Sequence, residues 1–258
     1  MSQKAVCPRC GSAKIWELSS GKRRCAACRY DFRLGKLGLQ LTPFQWRQVL
    51  HWFLRGLSVA QIAEETGLRR ERIMRALLLV HQAMARDVPP VFSGVVEVDE
   101  TYLVGPWHNK RLSVRLQGTK AGRGTTKQAV FGILCRGGQV WAEVVPDTKS
   151  KTLLPLLQQQ VCRCSVVCTD TFSADTGVAA GGYVHRMVDH RQTHSGKRGG
   201  HINGLEGFWG YLKRRLAAKG GIRRERLPLY LAEYVWRHNN RHLTVQKQGQ
   251  KILKLMQS

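Results

Sequence analysis

The sequence predicts an α/β layer with strands at its centre, preceded by a small cysteine-rich module and a short helical one. Three observations predict it. Two C-x-x-C pairs open the chain, CPRC and CAAC, with 14 residues between them. A stretch of helical periodicity broken at Gly67 follows, and from Gly94 onward alternating or continuous apolar strands are interrupted by amphipathic helices. At 258 residues the chain is long for one domain. We divide it into residues 1–40, 41–90 and 91–258.

In the first module Cys7, Cys10, Cys25 and Cys28 sit on two short knuckles that can bring four thiolates into a tetrahedron around one structural Zn²⁺. A module of this size buries too little apolar surface to fold without such a staple. Disulfides or unpaired thiols are the alternative, and disulfides are rare in an intracellular chain. Cys162, Cys164 and Cys168, in CRCSVVC, lack this regularity beside an expected buried strand; core packing is their expected role.

The helical module starts at Thr42, a cap, with Pro43 at the first helical position. FQWRQVLHWFL follows with helical periodicity. Then LSVAQIAEETGLRRERIMRALLLV reads as a short helix capped by Ser58, a left-handed turn at Gly67 and a second helix. This is helix-turn-helix grammar. Arg69, Arg70, Arg72 and Arg75 decorate the second helix and are expected to meet DNA; a plain hairpin with solvated arginines is the competing reading. Pro89 and Pro90 end the module.

In the last module GVVEVDETYLVG alternates as a strand does, and KQAVFGILCRGGQVWAEVV reads as two strands joined at Gly137-Gly138. SKTLLPLLQQQV is helical despite Pro155, CSVVCTD is a buried strand ending in Asp170, and GYVHRMVDH is a short edge strand. In HINGLEGFWGYLKRRL, Leu205, Phe208, Trp209, Leu212 and Leu216 recur at helical spacing, so one face of this helix packs on the core.

Charge narrows the function. Forty-two Lys and Arg against 17 Asp and Glu leave a net +25, which favours a polyanionic partner, with nucleic acid the natural one. No apolar run is long enough for a spanning helix and no signal-peptide pattern opens the chain, so a soluble intracellular protein without membrane partners is expected. Against this positive background the acids are informative. Asp99 lies on the first strand of the α/β module with Glu97, and Glu100 lies on the opposite face; Asp170 closes the central strand; Glu206 rides the late helix with Asn203 and Lys213 along one edge. A strand-borne carboxylate needs a positive partner, and hydrated Mg²⁺ held by two or three carboxylates is one. The KRGGHINGLEG run supplies Lys197 and Arg198 for phosphates in a loop that can close over DNA.

VEVDET, VCTDTF and H-x-N-x-x-E-x-x-W-x-x-L-K-R, together with YLAEYVWRHNNR as a closing helix, resemble the bacterial insertion-sequence transposases of the ISXO2-like family. These join a zinc ribbon to an RNase H-like Asp-Asp-Glu or Asp-Asp-Asn core. Thirty-five residues separate Asp170 from Glu206, a spacing common in such enzymes. The resemblance implies an RNase H-like mixed sheet flanked by helices, with catalysis by Asp99, Asp170 and either Glu206 or Asn203. Glu206 is favoured by spacing and charge. It further implies two Mg²⁺ or Mn²⁺ ions per active site, and Lys213 and Arg214 on DNA. Strand cleavage at terminal inverted repeats and 3′-hydroxyl attack on target DNA would follow, in a homodimer or higher oligomer at the bacterial nucleoid. A non-catalytic DNA-binding regulator and a structure-specific nuclease on the same fold are the rival readings.

Overall fold

The computed structural model describes residues 7, 12–20, 22–32, 39, 41–103, 128–169, 178–187, 203–219 and 222–257. Of the residues singled out from sequence, Cys10, Asp170, Lys197 and Arg198 lie outside them. The chain forms two compact units, Met1–Ala83 with Leu243–Ser258, and Met84–His242. The C-terminal segment, read from sequence as part of the α/β module, groups with the N-terminal unit.

The first unit begins with a three-stranded antiparallel sheet, β1 (Ile15–Glu17), β2 (Arg23–Cys25) and β3 (Asp31–Phe32). Strands this short cannot hold a sheet on their own. Arg24 reaches Asp31 through two hydrogen bonds of 2.6 and 2.8 Å across β2 and β3, a half-buried pair still open to water that adds little. Three helices follow: α1 (Pro43–Leu54), α2 (Val59–Thr66) and α3 (Arg70–Arg86).

The expected caps are present, and both are capping boxes. Thr42 Oγ1 accepts from Gln45 N–H while Gln45 Oε1 accepts from Thr42 N–H; Ser58 and Gln61 repeat the exchange. Gly67 ends α2 at φ 65°, a left-handed conformation that a side chain would disfavour. Buried Trp46, Val49, Leu50 and Phe53 of α1 and Ile73, Ala76 and Val80 of α3 belong to the apolar interior of this unit. The last helix, α7 (Val245–Gln257), packs on α1: a Cβ at Gly249 would stand 4.0 Å from Leu50 Cβ and Leu54 Cδ1.

The second unit holds a five-stranded mixed sheet in the order β6-β5-β4-β7-β8. Its strands are β4 (Val95–Leu103), β5 (Gln128–Cys135), β6 (Val140–Val145), β7 (Val166–Thr169) and β8 (Val184–Met187). β4, β5 and β6 are antiparallel neighbours, β5 and β6 joined at Gly137-Gly138 as expected, while β7 and β8 continue from β4 in parallel. This is a mixed sheet flanked by helices, as the resemblance implies.

Strand alternation gives the sheet two apolar faces. Val96, Val98, Phe131 and Ile133 pack with Leu153 and Leu157 of α4 (Ser150–Gln160). Val130, Leu134 and Val140 pack with Leu205, Phe208, Trp209 and Leu212 of α5 (Asn203–Ala217) and with α6 (Leu227–Asn239). Pro155 lies inside α4 but on its exposed side, where water can satisfy the carbonyl it leaves behind.

Sheet edges need protection, and α6 protects one. Asn239 accepts from Val140 N–H and donates to Val140 C=O, both at 2.8 Å, so its amide stands in for a neighbouring strand on β6. One expectation is corrected. Cys168 on β7 is buried, but Cys162 and Cys164 are exposed, because they sit in the turn before β7, where Cys164 takes φ 66°.

Candidate catalytic and metal sites

Residues 97, 99, 101 and 103 alternate onto the face of β4 covered by α5. Glu97 is only 1% exposed. A carboxylate so deeply placed needs charge-assisted partners, and it has them. Arg136 Nε donates to Oε1 at 3.2 Å, and the N–H of Leu205, in the first turn of α5, donates to Oε2 at 2.9 Å. The positive end of a helix dipole strengthens the second bond. Glu97 therefore fastens α5 to β4. The sequence reading missed this role, since the helix lies 108 residues further on.

Two glycines permit the close approach. A Cβ at Gly204 would meet Glu97 Oε2 at 2.9 Å, and one at Gly132 would meet the ring of Trp209 at 2.4 Å. Gly132 is the register partner of Asp99, so Trp209 lies over β5 beside that carboxylate and donates from Nε1 to Asp99 Oδ2 at 3.0 Å. Gly132→Ala is expected to destabilise this unit by about 1–3 kcal/mol through overpacking. Denaturant melting of the DNA-free protein measures it, and a variant as stable as wild type would contradict the close contact.

This bond sets the neighbourhood of Asp99. On a helix of 100° per residue, Trp209 borders the buried stripe, with Lys213 about 40° and Glu206 about 60° further round, while Asn203 lies about 120° away. Asp99 is half-buried; Asn203, Glu206, Lys213 and Arg214 are exposed. Parallel pairing of β4 and β7 ends at Val98 opposite Thr169, the residue before Asp170. On β8, His185 Nε2 lies 2.8 Å from Thr169 Oγ1. Asp99 and Glu206 each offer carboxylate oxygens, donors of the hard kind that suits Mg²⁺ or Mn²⁺.

Behind α5, His238 of α6 stacks edge-on against Phe208 at 5.2 Å. Burial, assisted by nearby Arg241, pushes its pKa down to about 4. The folded state thus holds the neutral ring while an unfolded chain protonates near 6.5. His238 therefore contributes stability above pH 6.5 that is lost as pH falls toward 4. His238→Phe should flatten the fall in melting temperature across that window; equal pH slopes in both proteins would refute it.

In the first unit Cys7, Cys25 and Cys28 place their sulfurs within 4.8 Å of one another, Cys7 and Cys28 at 3.6 Å. Four thiolates about 2.3 Å from one zinc ion lie about 3.8 Å apart, so the spacing fits. The knuckle is shaped by its backbone. Cys25 N–H donates to Tyr30 C=O and Arg29 N–H to Cys25 C=O, with Arg29 at φ 57°. Of the four arginines expected to meet DNA, Arg69, Arg70 and Arg75 are exposed and Arg72 is half-buried.

Residues 91–239 match the family model of the ISXO2-like transposase domain. The chain belongs to the ISXO2-like transposase family. Residues 2–31 of this transposase match the model of the transposase zinc-ribbon domain, in agreement with the three clustered cysteines. Over 108 residues it is 37% identical to an uncharacterized transposase-like protein of Haemophilus influenzae, an overlap of 42% of this chain and 87% of that one. It also overlays, at a TM-score of 0.37 and 15% identity, on a chain of the cryo-EM structure of a simian T-cell lymphotropic virus intasome in complex with PP2A regulatory subunit B56 gamma, across 77% of this chain and 69% of that one. No helix among the described residues of the transposase is long and apolar enough to cross a membrane.

Proposed function

We propose that this transposase cleaves DNA at the terminal inverted repeats of an insertion sequence and joins the freed 3′-hydroxyls to target DNA. Asp99, Asp170 and Glu206 are its metal-holding carboxylates, and Asn203 neighbours Glu206. The observation that carries the proposal is the hydrogen bond from Trp209 to Asp99, which draws the β4 carboxylate to the side of α5 that bears Glu206 and Lys213. Glu206 stands closer to Trp209 around the helix than Asn203 does, which supports Glu206 as the third carboxylate. Sequence adjacency supports Asp170, which follows Thr169, the last β7 residue paired with β4.

Two divalent cations, Mg²⁺ or Mn²⁺, would activate the attacking oxygen and stabilise the leaving one. The chain's own contributions are separate. The carboxylates of Asp99, on a strand, and Glu206, on a helix, would supply a common negative site. Lys213 and Arg214, about two turns past Glu206, offer ammonium and guanidinium groups to the DNA backbone on the same helix. Arg69, Arg70, Arg72 and Arg75 extend phosphate contact in the other unit, and Lys197 and Arg198 add to it. The zinc ribbon and the helix-turn-helix recognise the element ends. Joining two ends requires at least two copies of the chain in the DNA complex.

Strand transfer tests the proposal. Purified protein with labelled terminal-repeat DNA and Mg²⁺ or Mn²⁺ should yield 3′-end cleavage and joined products, both abolished by chelation. Cleavage without joining would leave a nuclease, and binding with neither would leave a regulator.

A further inference from the structure

Resting on the active-site reading above, the geometry points to Trp209 as a positioning residue for metal binding: its indole N–H holds one oxygen of the Asp99 carboxylate and so orients the other toward the cation. Three features of the structure converge on this one bond. Trp209 is buried at the border of the α5 stripe, where an apolar side chain would satisfy packing alone. Its N–H nevertheless aims at Asp99 Oδ2, 3.0 Å away. Beneath it, position 132 lacks the Cβ that would stand 2.4 Å from the ring, so the indole reaches the strand.

A buried indole N–H needs an acceptor, and a carboxylate that accepts one donor loses rotational freedom. For a metal ligand that restriction matters more than for a structural acid. Partners that orient ligands tune metal affinity about 10–100-fold. Glu97 acts differently, because both its oxygens are engaged by Arg136 and the α5 backbone. It anchors the helix, whereas Trp209 touches the residue that would hold the cation.

Two substitutions separate orientation from packing. Trp209→Phe keeps a ring over Gly132 and removes the donor, and benzothienylalanine incorporated at 209 keeps the indole shape while replacing N–H by sulfur. Mn²⁺ binding to the DNA-free protein, read by electron paramagnetic resonance, should weaken about 10-fold or more in both. The Mg²⁺ concentration for half-maximal cleavage should rise by a similar factor, with a smaller change in rate at saturating metal. Metal affinity within about twofold of wild type in the benzothienyl protein would overturn the inference and leave Trp209 as packing. Asp99→Asn serves as the control: if it retains metal-dependent cleavage, the active-site reading itself falls.

Discussion

Asp99→Asn should lower metal-dependent strand cleavage by about a thousandfold or more, a loss of about 4 kcal/mol of transition-state stabilisation, while the protein folds normally. The substitution is nearly isosteric, so packing against Gly132 and Trp209 persists. The amide, however, has one acceptor oxygen and one donor NH₂. Trp209 Nε1 demands the oxygen, as it does now from Asp99 Oδ2. The NH₂ is then turned toward the cation and repels it. Asn therefore fails twice, by losing charge and by presenting a donor. Labelled-DNA cleavage over a Mg²⁺ titration, beside a melting curve, reads both halves of the expectation. Wild-type cleavage by a folded Asp99→Asn protein would remove Asp99 from the chemistry.

Loss of the zinc ligands should unfold the ribbon and leave the second unit standing. β1, β2 and β3 are two to three residues long, and Cys25 within them is 0% exposed. Structural zinc supplies about 10–16 kcal/mol of apparent folding free energy in modules of this size, far more than so short a sheet can provide. Chelation, or Cys25→Ala, is expected to release one zinc per chain and expose residues 1–40 to protease. End-specific DNA binding should fall, while metal-dependent nicking of non-specific DNA by residues 84–242 changes much less. A ribbon that resists protease after chelation would show that its fold does not depend on metal.

Much of this was readable from local signals. The C-x-x-C pairs, the Thr42 and Ser58 caps, Gly67 and the Gly137-Gly138 turn each act within a few residues, so their spacing carries their meaning. The stripe of α5 was equally plain, because burial of one helix face leaves a period of 3.6. Cys162 and Cys164 were misread because a buried strand and the turn before it share one composition.

The interactions that assemble the site were not readable. Glu97 and Asp99 find their partners 108 and 110 residues away, and Asn239 pairs with Val140 across 99. No local pattern announces a glycine that clears space for a distant tryptophan, or that α7 belongs with α1.

By itself the sequence determined which elements form, which residues can bind zinc, and which acids stand out against a positive chain. Only the tertiary structure decided which of those acids is held by an arginine and a helix end, and which accepts a hydrogen bond from an indole. The reason is that periodicity and capping are written in neighbouring residues, whereas the fate of a buried carboxylate depends on the donors that distant segments bring to it.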